Sequence, residues 1–134
     1  MIFELSQDFT FEAAHTLQRA VPLTEYEPSM RIHGHSYLAT VTVKGEKGAS
    51  GMIERFSLKK NGRTPIDLFY LRAAIGRVRE LLDHRLLDEI PNLGPATLEN
   101  LCDFVASALS ADFAVSSVTV RRPSTGDSCT ARPK

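Results

Sequence analysis

The sequence predicts an α+β fold with helices packed on one face of an antiparallel sheet. Two observations carry this. β-Branched and aromatic stretches of strand character lie early and at the end, whereas two later stretches hold apolar residues at helical spacing. Strands and helices are also grouped apart, in the order strand, strand, possible strand, helix, helix, strand.

Ile2 to Ala14 reads as the first strand, rich in Phe and β-branched residues, with His15 near its end. Leu17 to Met30 holds two prolines and two glutamates, Glu25 and Glu27, and reads as a loop. Ser36 to Lys44 (Ser-Tyr-Leu-Ala-Thr-Val-Thr-Val-Lys) is the strongest strand signal. Gly45, Gly48 and Gly51 then break the pattern, and Met52 to Arg63 is either a short strand or an excursion. Asp67 is placed to cap a helix with Leu68, Leu71, Ile75, Val78 and Leu82 on its apolar face. That helix should end around Asp83 and His84, before Pro91. A second helix starts near Thr97, after Pro95, with Leu98, Leu101, Val105 and Leu109 on one side. Val115 to Arg121 is the last strand, ended by Pro123.

A length of 134 residues suits one domain, residues 1–134. Hydrophobic content of 43% with 24% charged residues is that of a soluble globular protein. Lys and Arg balance Asp and Glu at 16 each, so charge gives no support to nucleic-acid binding. Arg121 to Lys134 carries four basic residues and one acid, Asp127, either a solvated basic tail or a contact to a polyanionic substrate. Cys102 and Cys129 fit neither metal nor disulfide spacing, and Cys102 falls in the apolar helical pattern as a buried thiol. The N-terminus lacks signal-peptide character, and no apolar stretch approaches the ~20 residues of a membrane helix. A reducing cytoplasm fits these features, with no membrane partner.

His33-Gly34-His35 is the most informative motif. Two histidines two apart on a strand share a face, and His15 on a neighbouring strand supplies a third imidazole. Three imidazoles with a fourth position open is the coordination of a catalytic zinc site. Iron or nickel also suits this set, and the alternative is a polar sheet face without metal. Gly34 leaves room for close approach to the backbone. Asp83-His84 offers a carboxylate beside an imidazole, the parts of a proton shuttle. Adjacent residues do not easily pair with each other, so a relay calls for a third group. The alternative is that the two simply finish a helix.

Phe11-Glu12-Ala13-Ala14-His15 followed by Arg31-Ile32-His33-Gly34-His35-Ser36-Tyr37 resembles the 6-pyruvoyl-tetrahydropterin synthase and 6-carboxytetrahydropterin synthase family. The likeness continues through Ile66-Asp67, Leu71-Arg72, Leu82-Asp83-His84, Leu86-Leu87-Asp88, Pro95, Thr97, Glu99 and Asn100. It implies a tunnelling fold, a four-stranded antiparallel sheet backed by two helices. It further implies barrel-forming trimers stacked into a homo-hexamer, with active sites between subunits. The implied chemistry is a zinc-dependent lyase reaction on 7,8-dihydroneopterin triphosphate or a related pterin. By matching position, His15, His33 and His35 are the implied Zn2+ ligands and Asp83 and His84 the proton-transfer dyad. Thr97 and Glu99 are implied to line the pterin pocket.

Two positions depart from the family pattern. Ser29 stands where the family has a catalytic cysteine, four residues before His33. A serine hydroxyl is far less acidic than a thiol and needs an adjacent base. Glu27 and Glu25 in the same loop are the alternative bases, or else solvated loop charges. A family subgroup uses glutamate in place of the cysteine and is implied to cleave the dihydroneopterin side chain. Arg122 follows Val118-Thr119-Val120-Arg121 where the family has a glutamate that accepts pterin N–H groups. A guanidinium only donates, so Arg122 suits a carboxylate, carbonyl or phosphate. The alternative to the lyase is a divergent relative that binds a pterin, purine-like or anionic ligand without turnover. Gly51 to Thr64 reads as an insertion relative to the family.

Overall fold

The computed structural model describes residues 1–16, 30–57 and 61–134. Glu25, Glu27 and Ser29 lie outside the described residues. The elements run in the order β1 (Ile2–His15), β2 (His33–Lys47), β3 (Ile53–Ser57), β4 (Gly62–Pro65), α1 (Leu68–Leu82) and β5 (Arg85–Leu86). A 3₁₀ turn (Leu87–Glu89), α2 (Leu98–Leu109), β6 (Val115–Arg122) and β7 (Asp127–Ala131) follow.

β1 and β2 form the spine, antiparallel from Ile2 opposite Glu46 to His15 opposite His33. The polarity alternation of β1 is what buries one of its faces: Phe9, Phe11, Ala13 and His15 point inward, with Thr10 and Glu12 exposed between them. On β2 the matching inward row is His33, His35, Tyr37, Ala39, Val41 and Val43. Leu71, Ile75, Val78 and Leu82 of α1 are buried, as are Leu101, Val105 and Leu109 of α2. They belong to one apolar cluster with the inward strand residues, so both helices cover a single face of the sheet. Phe11 stacks on Tyr37 at 4.7 Å, which carries the aromatic core up to the histidine end of the strands.

The α+β class and the two expected helices are present; the strand count differs. Among the described residues the sheet has seven strands in place of four, ordered β4-β3-β2-β1-β5, with β6 beside β2 and β7 beside β6. β5 pairs with β1 in parallel, so the sheet is mixed. The ambiguous Met52–Arg63 segment contributes to two paired strands: β3 and β4 pair from Glu54 opposite Pro65 to Ser57 opposite Gly62. Gly45 does not end β2, which runs on to Lys47. A Cβ at Gly45 would lie 2.2 Å from Ile53 Cγ2, so the missing side chain lets the start of β3 approach β2 closely. The C-terminal stretch is not a solvated tail. Gly126 turns at φ 76, and β7 returns along β6 with Asp127 opposite Arg122. None of the described helices is long and apolar enough to cross a membrane.

Candidate metal centre

Alternation along β1 and the β1–β2 register bring His15, His33 and His35 together. One ligand atom from each lies within 4.8 Å of the others, the only such cluster among the described residues. His15 and His33 face each other across the strand pair, and His35 is two residues on, opposite Ala13. All three ring pairs meet edge to face at 4.5–5.0 Å.

The hydrogen bonds orient two of the rings. His15 Nδ1 lies 3.1 Å from the Ala96 carbonyl and His33 Nδ1 lies 2.7 Å from the Arg31 carbonyl. A carbonyl only accepts, so each Nδ1 carries the proton and each Nε2 presents a lone pair. Those two Nε2 atoms are 2.8 Å apart. Two lone pairs at that separation repel, and a cation held by both turns the repulsion into coordination. His35 Nε2 is buried with no hydrogen-bond partner among the described residues. An orphaned buried ring nitrogen beside two aligned lone pairs fits a divalent transition metal on three neutral imidazoles. The carbonyl partners are the outer contacts that fix the tautomer of a metal-bound histidine.

Electrostatics favour the same state. Burial lowers the pKa of His15, only 1% exposed, against the opposing Ala96 hydrogen bond, and His33 and Arg122 lower it further. Burial also lowers His35, with help from the His15, Arg122 and His33 charges. Neutral imidazole is the ligand form.

The surroundings explain why the rings sit here. Asp88 takes hydrogen bonds from the Thr16 amide, at 2.8 Å, and the Thr16 hydroxyl, pinning the chain beyond His15. Burial opposes ionisation of Asp88, and the Thr16 bonds outweigh it, so its pKa is lowered. Thr97 caps α2 by accepting from Asn100 N at 3.1 Å, and Asn100 Nδ2 donates to the Pro95 carbonyl at 2.7 Å. These bonds set the turn that offers Ala96 O to His15. Thr97 therefore works as a helix cap, and Glu99 lies exposed in the first turn of α2. Gly34 is not demanded by crowding, because a Cβ there would sit 3.5 Å from Ala13 O, an ordinary contact.

Asp83 and His84 do pair directly, contrary to expectation: His84 Nδ1 is 2.9 Å from Asp83 Oδ2. His84 takes φ 57, a left-handed conformation, and its amide donates to Glu12 O at 2.6 Å. That turn swings the imidazole back onto its neighbour's carboxylate. Asp83 Oδ1 accepts from the Glu12 amide and Oδ2 also meets Arg79 at 3.1 Å. The Glu12 amide bond is the main cause that lowers the Asp83 pKa, joined by His84 and Arg79. The His84 ring makes no hydrogen bond or ring contact with the three imidazoles. It lines a cleft of about 460 Å³ with Glu12, Gly34, His35 and Ser36.

Arg122 ends β6 beside the centre, 22% exposed, its Nη2 2.9 Å from Asp127 Oδ2. Tyr37 and Asp127 were not singled out in the sequence. Tyr37 continues the inward alternation of His33 and His35, and Thr125-Gly126-Asp127 is a hairpin-turn signature; these were the available signals.

Comparison with known proteins agrees with this geometry. A family model described as 6-pyruvoyl tetrahydropterin synthase matches residues 4–134. The 6-pyruvoyl tetrahydropterin synthase of Caenorhabditis elegans superposes with a TM-score of 0.77 at 21% identity, covering 100% of this chain and 97% of that one. An uncharacterized protein from Wolinella succinogenes gives 0.72 at 14% identity, covering 100% and 99%. The Plasmodium vivax 6-pyruvoyltetrahydropterin synthase, solved as a variant with its glutamate catalytic residue replaced by alanine, gives 0.62 at 16% identity, covering 99% of each chain. With a family match across nearly the whole sequence, the chain belongs to the 6-pyruvoyl tetrahydropterin synthase family.

Proposed function

We propose that the chain is a zinc-dependent lyase acting on 7,8-dihydroneopterin triphosphate or a related pterin, working as a homo-oligomer of stacked trimers. The observation that supports this best is the histidine cluster, with two Nδ1 protons assigned by carbonyls and a third ring nitrogen orphaned. His15, His33 and His35 are the ligands in this reading. Zinc bound there supplies a Lewis acid that polarises substrate hydroxyls and eases removal of the neighbouring protons.

Other parts of the chain hold and move those protons. His84 Nδ1 is held by Asp83, which leaves Nε2 as the atom that exchanges a proton with substrate. Asp83 is itself held by the Glu12 amide and Arg79, so it orients the imidazole. The ring is exposed, which suits a dyad that serves the site of a neighbouring subunit in the barrel. Ser29 occupies the position of the family's cysteine and is a poor proton acceptor. Glu27 is the proposed base, and the catalytic glutamate of the Plasmodium vivax enzyme gives a precedent for that residue type.

Incubation of zinc-loaded protein with 7,8-dihydroneopterin triphosphate, with products identified by mass spectrometry, tests this reading. Zinc-dependent loss of triphosphate or of the substrate side chain supports it. Tight pterin binding with no product would instead favour a non-catalytic relative.

A further inference from the structure

We infer that Arg122 and Tyr37 form an oxyanion subsite beside the histidine centre, taking a carboxylate or phosphate group of the ligand. The inference rests on the proposed site but concerns a different part of it. Val118 and Val120 are fully buried on the inward face of β6, and Arg122 is the next residue in that row. Leu38 lies opposite Arg121 on the paired strand, so the register carries Arg122 to Tyr37. The Tyr37 ring is 5.7 Å from that of His35, so Arg122, Tyr37, His35 and His33 stand in file on one face.

Three buried side-chain polar atoms lack a hydrogen-bond partner among the described residues: His35 Nε2, Tyr37 Oη and Arg122 Nε. All three belong to this file. Tyr37 is only 2% exposed, and a buried hydroxyl without a partner is costly. The metal reading accounts for His35 alone. What remains is an O–H donor and a charged N–H donor, a pair that matches an oxyanion. Charge points the same way, since the register sets the guanidinium beside Tyr37 on the face that holds His35. A divalent cation on three neutral imidazoles adds more positive charge next to it. Asp127 offsets one positive charge through Nη2 of the guanidinium, at 2.9 Å, and an anionic ligand offsets the rest. A ligand ring that offers only N–H donors at this position finds no acceptor on Arg122.

Calorimetric titration with L-lactate, its neutral amide lactamide, and methyl phosphate separates the possibilities, in metal-free and in zinc-loaded protein. The wild-type chain is expected to prefer lactate or methyl phosphate over lactamide by about tenfold or more in both forms. The tighter of the two anions identifies the oxyanion. Arg122→Gln should lose about tenfold in that preference, and Tyr37→Phe a few-fold, with zinc content unchanged and the ligand-free Tm of Tyr37→Phe no lower than wild type, because the unpartnered hydroxyl is gone. Asp127→Asn keeps the guanidinium and should keep the preference even if the hairpin loosens. An equal preference in wild type and Arg122→Gln assigns anion binding to the metal alone and overturns the inference, as does a wild type that does not distinguish the anions from lactamide. If zinc does not bind, the metal-free comparison still decides, so the two readings fail separately.

Discussion

Replacing Thr97 by alanine separates a structural role from a ligand-binding one. The Thr97 hydroxyl accepts from Asn100 N at 3.1 Å and is the side-chain N-cap of α2, so its loss leaves an orphan amide at the head of a core helix. Removing such a cap costs roughly 0.5–2 kcal/mol, typically about 1. Unfolding entropy of about 2.1 cal/mol/K per residue gives a chain of 134 residues about 0.28 kcal/mol/K. The expected fall in Tm is therefore about 4 °C, followed by circular dichroism on metal-free protein. Thr97→Ser and Thr97→Asp restore an acceptor and should recover most of that loss. The same turn carries Ala96 O to His15, so Thr97→Ala should also weaken zinc binding, by about tenfold on the scale of outer-contact substitutions. An unchanged Tm in Thr97→Ala, or no rescue by serine and aspartate, would refute the capping argument.

The lowered His15 and His35 pKa values predict a pH dependence. Between the ordinary value of 6.5 and the lowered folded values, the unfolded chain binds more protons than the native one. Stability of metal-free protein should thus be complete above 6.5 and fall as pH drops through that window; denaturant midpoints that rise on acidification would contradict this. Gly45→Ala places a Cβ 2.2 Å from Ile53 Cγ2 and 2.9 Å from Glu54 O. It should cost about 1–3 kcal/mol in chemical denaturation, and a neutral result would mean that Ile53 does not pack this closely on Gly45. Glu27→Gln should keep zinc content and lose turnover, and Asp83→Asn should do the same. Undiminished turnover in either removes that residue from the proton-transfer path.

The histidine cluster was legible because strand alternation is a strict period: His33 and His35 share a face, and the register that sets His15 opposite His33 adds the third ring to it. Both helices were legible because Asp67 and Thr97 are cap residues ahead of regular apolar spacing. The Asp83–His84 pairing was hidden, since it depends on His84 adopting a positive φ stabilised by a contact to Glu12, distant in sequence. The β6–β7 hairpin was obscured by its charges. Arg121, Arg122, Arg132 and Lys134 suggest a solvated tail, while β7 itself is made of small residues with weak strand preference. Arg122 was recognised as a departure from the family pattern, but its partner Asp127 and its place beside Tyr37 follow only from that hairpin and from the register of β2 with β6.

The central claim is that three imidazoles hold one metal ion. Zinc stoichiometry by plasma mass spectrometry after equilibrium dialysis, on wild type and on His15→Ala, His33→Ala and His35→Ala, tests it most directly. The account predicts one zinc per chain in the wild type and loss of zinc in each variant while circular dichroism still shows a folded chain. Zinc retained by a protein lacking all three histidines, or a folded wild type that takes up no zinc, would contradict it.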